Sequence, residues 1–503
     1  MGKNPIRALA GQTVVYGLGT MLPRFLNYLM VKVYTSVFPA EEYGQVTEVY
    51  AWTALFLAVL IFGMETTFFR FAQKIDPKKA FNNAGTWVIL LSTVFIILFV
   101  FLFRYFAAAI GYESAPEYVL LFGMIVFFDA VCAVPFAMLR QQNAARRFSI
   151  IKIVNVCFNI ILNIFFIYII PEKATSLARV MFGPEASLLV WVFIANVVSS
   201  AFNILLLVPQ FKMLKLKFDK DVLFDMLRYA WPILLIGLIG MVNEVADKLL
   251  IRSLVPVPDD AALSAMGKTA DAYRESQIGI YGANYKLAVL MTIFIQMFRF
   301  ASEPFFFGHA KDRNAPELYS RVMTIFTAFC LLIFLVVMLY IDVFKYFIGS
   351  GSDNIYHEGL VIVPIVLIAN MFYGIVFNLS IWYKLSDRTS IGSVITGIGA
   401  VTTVLILIGA VPFLGYKGAA LAHLGCYSVM MLVSYFWGQK VFPIPYQVGR
   451  IGVYFLMAMA VFFISYAFAE MNIFLKLTIN TILILLFIGT IFALERKNPI
   501  KIE

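Results

Sequence analysis

Apolar stretches of about 20 residues recur along the whole of this 503-residue chain. A helix of about that length spans the hydrocarbon core of a bilayer, which is about 30 Å thick. Hydrophobic residues make up 62% of the chain and charged residues 14%, whereas a soluble domain is about 45–50% apolar and about 25% charged. The sequence therefore predicts an all-α, polytopic membrane protein without a separate soluble domain.

The hydropathy pattern predicts about 14 transmembrane helices. The predicted spans are 11–33, 46–69, 84–104, 116–139, 149–170, 187–209, 229–251, 279–306, 322–341, 359–382, 391–411, 418–438, 451–469 and 477–494.

The loops between these spans alternate in charge. Most of the 39 Lys and Arg residues fall in one set of loops, such as "RFAQKIDPKKAFNN" and "HAKDRNAPELYSR". The positive-inside rule places that set in the cytoplasm. We therefore expect a multi-pass protein of the bacterial plasma (inner) membrane with both termini cytoplasmic. This distribution explains the net charge of +10 without a nucleic-acid partner, and anionic membrane lipids are expected to attract these loops.

A weak internal repeat divides the predicted spans into two halves. Glu65 in "ETTFFRFA" matches Glu303 in "EPFFFGHA", and "YGQVTEVYA" (43–51) and "IGIYGANYK" (278–286) share Gly and Tyr at the same offsets. We predict two six-helix bundles related by a pseudo-two-fold axis along the membrane normal, followed by two extra helices. The predicted domains are 1–210, 211–440 and 441–503. Transporters built this way bind substrate at the repeat interface and alternate access by rocking.

The span predicted at 279–306 carries the sharpest set of polar residues. A charge at the bilayer centre costs about 2.5–3.5 kcal/mol on insertion scales, so such residues usually face a wet interior. Gln296, Arg299 and Glu303 lie on one helical face, with Lys286 and Asn284 further along. A cavity role is predicted for Lys286. Arg299 and Glu303 have an alternative interpretation as a structural ion pair.

The span predicted at 229–251 carries Glu244, Asp247 and Lys248. Glu244 and Lys248 stand four residues apart and could neutralise each other. Because these residues lie toward one end of the span, they could also extend to the membrane interface. Functional and structural interpretations both remain open here.

The first two spans carry further intramembrane charges. Arg24 follows Pro23, and a proline inside a helix frees a carbonyl that needs another partner. Arg24 is predicted to line a cavity, where its guanidinium could bind phosphate oxygens bidentately. Glu48 and Glu65 in the second span could each partner a cation such as Arg24, or exchange a proton or sodium ion for coupling.

Several kinds of site are not indicated by the sequence. It has no Walker A loop, no H-E-x-x-H motif, no nucleophile elbow and no Cys/His cluster. We therefore expect no catalytic residues, no metal and no cofactor, and we expect a protein that is not an enzyme. A membrane glycosyltransferase would usually need a large extramembrane loop. The longest candidate loop, 252–278, is predicted by the charge count to lie outside. It is predicted to be a mobile connector, with a lid or partner-docking role as the alternative.

The stretch 11–71 includes a first span with a central Arg, a "YG" turn into the second span and the ending "GMETTFFRF". Together with the basic loop "RQQNAARRFS", it resembles the bacterial polysaccharide biosynthesis flippases. These are the Wzx-type oligosaccharide flippases of the multidrug/oligosaccharidyl-lipid/polysaccharide (MOP) exporter superfamily. The resemblance implies two bundles facing a cationic cavity. It also implies an undecaprenyl-pyrophosphate-linked oligosaccharide as cargo. The span count also resembles the lipid II flippase branch, in which an Arg at the position of Arg24 is functional.

The predicted function is therefore the translocation of a lipid-linked oligosaccharide for cell-envelope polysaccharide synthesis, such as that of lipopolysaccharide. Arg24, Lys286 and Arg299 would bind the pyrophosphate, and Asn284 and Gln296 would line the same cavity. Coupling to a proton or sodium gradient, or charge balance, is predicted for a second set of residues: Glu65, Glu303, Glu244, Asp247 and Lys248.

Three alternatives remain: a lipid II flippase, a MATE-like ion-coupled drug exporter, and a non-catalytic scaffold. Polysaccharide polymerases and glycosyltransferases are candidate partners.

Overall fold

The structure is a computed structural model that describes residues 5–309, 312–349, 354–386, 388–468 and 470–496, with the side chains of 5–20, 300, 301, 303 and 304 outside the description. Throughout the described ranges the regular structure is helical, and no strand occurs in them. This confirms the all-α fold class, as expected where lipid offers the backbone no hydrogen-bond partner.

The chain folds as two compact units. The first comprises Met1–Ser253 and Val257–Gly279, and the second comprises Leu254–Pro256 and Ile280–Glu503. The predicted domain boundaries at 210 and 440 remain predictions.

The helices up to the boundary at Gly279 are α1 (Pro5–Val37), α2 (Ala40–Ile61), α3 (Met64–Phe71), α4 (Pro77–Ala109), α5 (Pro116–Gln141), α6 (Ala145–Ile164), α7 (Pro171–Phe182), α8 (Val190–Leu206), α9 (Val208–Met213), α10 (Lys220–Leu254), α11 (Asp260–Ala265) and α12 (Ala270–Leu287), which continues past it. The helices that follow are α13 (Val289–Gly308), α14 (Ala315–Leu339), α15 (Ile341–Phe344), α16 (Val363–Leu379), α17 (Ile381–Leu385), α18 (Ser390–Leu414), α19 (Tyr416–Val441), α20 (Val448–Ala467) and α21 (Ile473–Arg496). A π-helical turn (Phe165–Ile169) extends α6, and 3₁₀ turns occupy Lys345–Phe347 and Ile355–Ile362.

Eleven helices in the described ranges are long and apolar enough to cross a membrane, or twelve if the bent pair α12–α13 is one span. These twelve coincide with twelve of the predicted spans. The other two predictions, 11–33 and 187–209, fall on α1 and on the 17-residue α8. The protein is thus a multi-pass membrane protein, while the count of fourteen remains a prediction.

Helix α5 is the central helix of the first unit. It packs against α2, α4, α6 and α8, and 72% of its most apolar 18-residue window is buried. Pro116 begins the helix at a position where its missing N–H costs nothing. Because α5 is covered by protein on most sides, its apolar residues pack against other helices instead of lipid.

The second predicted span is interrupted at the start of the "GMETTFFRF" segment. Phe62 and Gly63 both have left-handed backbone angles, with φ of 55° and 67°, and they separate α2 from α3. A Cβ added at Gly63 would lie 3.2 Å from the carbonyl oxygen of Ala230 on α10. Glycine is therefore favoured there both by its backbone angle and by the close approach of α10.

The span predicted at 279–306 is not one straight helix. It consists of α12 and α13, which are bent by 49° at Ala288. Backbone bonds at the break link residues three apart, from Ala288 N to Tyr285 O and from Met291 N to Ala288 O. The side chain of Asn370 on α16 donates to the Ala288 carbonyl at 3.5 Å. A side chain that takes a carbonyl out of the helical pattern is a recognised cause of a kink.

The C-terminal helices α20 and α21 are attached to α14 and its surroundings by polar contacts. The amide nitrogen of Asn480 donates to the Leu339 carbonyl at 2.6 Å, and its oxygen accepts from Ser465 at 2.7 Å. Near one end, Asp342 on α15 pairs with Lys345 and Lys476. Burial opposes ionisation of Asp342, but hydrogen bonds from these two lysines hold its pKa below the ordinary value.

We predict that Asn480→Ala loosens this attachment, because it removes both contacts from a fully buried position. The expected loss is about 1–3 kcal/mol, as for a buried carbonyl that loses its donor. Thermal unfolding of the detergent-solubilised protein would measure it. Thr478→Ala, at an exposed position on the same helix, is the matched control, and equal unfolding temperatures for the two variants would contradict the prediction.

Candidate functional site

The predicted site residues divide between the two units. The first unit holds Arg24, Glu65, Glu244, Asp247 and Lys248, and the second holds Asn284, Lys286, Gln296, Arg299 and Glu303. Arg24 on α1 and Glu244 on α10 are exposed, as are Lys286 on α12 and Arg299 on α13, while Gln296 is half-buried. Glu303 lies on α13, but its side chain is outside the described residues. Its predicted pairing with Arg299 therefore remains a prediction.

Glu65 pairs with Arg140, which lies in the last turn of α5 beside a loop predicted to be cytoplasmic. Its carboxylate accepts from Arg140 Nη2 at 2.5 Å, and the Arg140 guanidinium also lies 5.0 Å from the ring centroid of Phe69. Arg24 was one expected partner for this carboxylate, and Arg140 has that place. The pair is about one-third exposed on both sides, so it contributes modestly to stability.

Lys248 is neutralised by its chain neighbour. Its ammonium lies 3.0 Å from the carboxylate of buried Asp247 and donates to the main-chain carbonyl of Glu244 at 2.8 Å. The spacing had left the Glu244 carboxylate open as a partner. The ion pair is instead with Asp247, which is buried whereas the side chain of Glu244 is exposed.

Asn284 is fully buried in the second unit. Its amide nitrogen donates to the carbonyls of Ile280 and Tyr356 at 2.8 and 2.7 Å. Gly359 packs so closely that an added Cβ would lie 2.2 Å from that nitrogen. The amide group therefore holds α12 to the 3₁₀ turn at Ile355–Ile362, while its oxygen has no hydrogen-bond partner in the described ranges.

Arg299 contacts the same aromatic ring as Lys384, a cation outside the predicted site residues. The Arg299 guanidinium lies 5.1 Å from the ring centroid of Phe377 on α16, and the ammonium of Lys384 on α17 lies 4.9 Å from the same centroid. Cations within about 6 Å of an aromatic face are attracted by its quadrupole. Two positive charges therefore lie near the ring of Phe377. Lys384 was not among the predicted site residues because it lies just beyond the end of the span predicted at 359–382.

The most buried set of charges in the first unit centres on Arg252 at the end of α10. Its Nη1 donates to Glu48 Oε2 on α2 at 2.9 Å and to Glu275 Oε1 on α12 at 3.1 Å. Arg252, Glu48 and Glu275 are only 8%, 2% and 7% exposed. One guanidinium therefore serves two buried carboxylates from separate helices.

Three neighbours complete this set, which we call the Arg252 network. Tyr112, between α4 and α5, donates its hydroxyl to Glu48 Oε2 at 2.9 Å, and Gln45 donates to Glu275 Oε2 at 2.9 Å. Arg252 Nη2 donates to the Gly111 carbonyl. Burial raises the pKa of Tyr112 well above its ordinary value, so its hydroxyl remains a donor at physiological pH.

Two glycines bring α2 and α12 into backbone contact beside the Arg252 network. A Cβ added at Gly44 would lie 1.9 Å from the Glu275 carbonyl oxygen, and one added at Gly279 would lie 1.8 Å from the Ala40 carbonyl oxygen. Each glycine thus faces the carbonyl four residues before the other. The contact is reciprocal, and its two glycines are the pair aligned by the weak internal repeat.

The segment predicted as a mobile connector, 252–278, belongs to the first unit except at Leu254–Pro256. It carries Arg252 and Glu275, includes α11, and is tied by Lys268 to Glu41 at 3.4 Å. Sequence reasoning missed Arg252 and Glu275 because both fall in a polar run after a span. A signal was present in Glu48, a carboxylate in the second span that required a cationic partner.

Comparison with known proteins shows the family of this chain. Residues 9–308, more than half of the chain, match the family described as "Polysaccharide biosynthesis protein". No curated protein sequence matches the chain.

Solved structures share the fold at low sequence identity. One described as "Lipid II flippase MurJ, inward closed conformation" aligns with a TM-score of 0.72 and 14% identity, over 96% of this chain and 100% of that one. An inward-facing multidrug resistance MATE family transporter of the MOP superfamily aligns with a TM-score of 0.60 and 15% identity, over 85% of this chain and 97% of that one. At these identities the similarity establishes the fold.

We predict that Gly279→Ala destabilises the protein, because the new methyl group would force α12 away from α2. Overpacking of this kind costs about 1–3 kcal/mol. Gly237→Ala on α10 is the matched control, since an added Cβ there meets nothing within 4 Å. Thermal unfolding in detergent should show a lower transition for Gly279→Ala alone; a similar shift in both variants would rule out the crossing as its cause.

We also predict a large effect of Arg252→Met, which leaves two buried carboxylates without a cation. Loss of one partner from a buried ion pair costs about 3–5 kcal/mol. Combining it with Glu48→Gln and Glu275→Gln removes both ionisable carboxyl groups and should restore more than half of the lost unfolding free energy. The measurement is denaturant unfolding of the three-residue variant beside the single one, and no recovery would contradict the charge argument.

Proposed function

Since this chain belongs to the polysaccharide biosynthesis protein family, we propose that it translocates an undecaprenyl-pyrophosphate-linked oligosaccharide across the bacterial inner membrane. The cargo would serve synthesis of a cell-envelope polysaccharide, and the protein would act as a flippase and not as an enzyme. The family match over residues 9–308 carries this proposal. The fold supports it, because it is shared with transporters that include a lipid flippase.

The cargo has a charged diphosphate, a polar glycan and a long apolar tail. Passage of the diphosphate through the membrane interior requires compensating positive charge. Arg24, Lys286 and Arg299 are the proposed ligands, with Lys384 as an additional cation beside Arg299. Charge-assisted hydrogen bonds from such groups to phosphate oxygens are about twice as strong as neutral ones. Alternating access would then carry the glycan through a wet interior while the tail stays in lipid.

The carboxylates named in the sequence analysis would balance charge or couple transport to an ion gradient. Glu65 is the first-unit candidate at the cytoplasm-predicted end, and its exchange between Arg140 and another cation during the cycle is part of this proposal. Both termini would be cytoplasmic, in keeping with the basic loops.

A second candidate function is the flipping of lipid II. The observation in its favour is that the lipid II flippase structure aligns over 96% of this chain, so the alignment extends into the C-terminal pair α20–α21. The two candidates share an undecaprenyl diphosphate and differ in the attached sugar. The identity of the accumulated precursor would therefore distinguish them.

The test is leaflet-resolved labelling of undecaprenyl-linked glycan in cells that lack the protein and in cells that carry variants. We predict that Arg24→Ala and Arg299→Ala each reduce outward appearance by about 10–100-fold. The reason is that a lost hydrogen bond to a charged group is worth about 1.5–3 kcal/mol. Arg24→Lys should recover part of the activity, since it keeps the charge and loses the fork.

Arg179→Ala is the matched control, because Arg179 is an exposed arginine on α7, outside the proposed cation set. Accumulation of peptidoglycan precursor alone would favour the lipid II candidate. Normal outward appearance of both glycan classes in the null strain, with altered accumulation of cationic drugs, would overturn the flippase proposal in favour of drug export.

A further inference from the structure

The Arg252 network contains more acidic groups than basic groups. Two carboxylates, Glu48 and Glu275, contact a single guanidinium, and all three side chains are at least nine-tenths buried. If both acids are ionised, the network carries a net charge of −1 away from water. Two carboxylates that share a buried site resist simultaneous ionisation, and an uncompensated buried charge is strongly unfavourable.

The surrounding charges do not supply the missing positive one. Glu42 on α2 and Asp271 on α12 act electrostatically on Glu275. Glu42 is acidic, and Asp271 forms a neutral pair with Arg274 at 3.2 Å. Lys268 pairs with Glu41, which adds no net charge. From the segment between α4 and α5, Tyr112 donates a neutral hydroxyl to Glu48. A proton is thus the cation of suitable size for a site that is already filled with side chains.

The geometry has room for a proton on Glu48. Its described contacts, from Tyr112 and Arg252, both fall on Oε2. A hydrogen on Oε1 would therefore disturb neither of them. On Glu275, by contrast, both oxygens already accept hydrogen bonds, from Arg252 and from Gln45.

The Arg252 network also lies close to the first and the last of the three places where the chain passes between its compact units. Arg252 stands two residues before Leu254, where the chain first enters the second unit, and Glu275 stands four residues before the boundary between Gly279 and Ile280. That last boundary falls within α12, whose first part is held against α2 by the Gly44–Gly279 contact. Separation of α12 from α2 would expose Glu48 and Glu275 to water together.

We propose that Glu48 and Glu275 hold one exchangeable proton around Arg252, and that this proton keeps α12 closed on α2. When α12 leaves α2, the carboxyl O–H bond breaks, water takes the proton, and the carboxylate that remains is stabilised by hydration. Closure rebinds one proton from the side predicted to be outside. Acidic conditions outside therefore favour the closed contact and alkaline conditions favour its opening. This inference deepens the proposed transport function, to which it adds a proton as the coupling ion.

The test follows the α2–α12 contact directly and needs no cargo. Glu41→Cys and Lys268→Cys replace the ion pair that links α2 to the chain before α12, in a background with Cys157→Ala to remove an exposed native thiol. A short bis-methanethiosulfonate crosslinker is applied to the full chain in nanodiscs, from about pH 5.5 to about pH 8.5. Crosslinking yield is compared with that of the same cysteine pair carrying Glu48→Gln, which corrects for the pH dependence of thiol reactivity.

Relative to Glu48→Gln, the crosslink in the parent should fall with rising pH, by up to about tenfold per unit where one proton is released. Glu275→Gln should match Glu48→Gln and stay closed at all pH values, whereas Glu113→Gln, at an exposed position near Gly111, should behave as the parent. Identical pH profiles in the parent and in Glu48→Gln would overturn the proposal.

Loss of the crosslink at every pH in a Glu48→Gln variant that still elutes as a single folded species would also overturn the proposal, because it would make the Arg252 network a fixed ion pair. Since the assay contains no glycan, its outcome is independent of the leaflet-resolved labelling that tests the proposed function. The pH dependence can therefore fail while the flippase proposal holds, and the reverse is equally possible.

Discussion

The whole structure depends on the requirement that polar groups be satisfied where lipid offers them nothing. Backbone groups meet this requirement through helical hydrogen bonds, which is why the regular structure of the described residues is helical. Side chains meet it through specific partners. Where the backbone leaves the helical pattern, at Phe62–Gly63 and at Ala288, a neighbouring helix approaches or donates a hydrogen bond. The folding of each unit therefore relies on a few polar contacts placed within a large apolar surface.

These contacts matter because apolar packing alone distinguishes poorly between helix pairs in lipid, where no hydrophobic force drives helices together. The Arg252 network joins α2, α10, α12 and the segment between α4 and α5 through residues far apart in the sequence. Asn480 does the same for α14, α20 and α21. Each of these buried polar side chains raises the free energy of the folded state when it is unpaired. The pairing therefore selects one arrangement of helices among many that are equally apolar.

The proposed function likewise depends on a small number of polar groups. The proposed transport of a diphosphate-linked glycan requires positive charge in the membrane and also a means of opening and closing. The proposed ligands Arg24, Lys286 and Arg299 would meet the first requirement. The Arg252 network would meet the second, because it combines buried charge with a position close to points at which the chain changes units. Backbone contact at Gly44 and Gly279 brings α2 and α12 together beside this network.

The sequence by itself determined the helical class, twelve of the spans and the family, because these depend on hydrophobic length and on local motifs. It also identified Glu48, Glu65 and Lys248 as intramembrane charges that need partners. It did not determine those partners: Arg140 and Arg252 were chosen by tertiary packing, and Asp247, the chain neighbour of Lys248, is the acid that the fold buries. A side chain reaches its partner through the rotation and crossing of helices, and hydropathy carries no information on either. The reciprocal Gly44–Gly279 contact was decided the same way, because only the tertiary structure brings together two glycines separated by more than 200 residues.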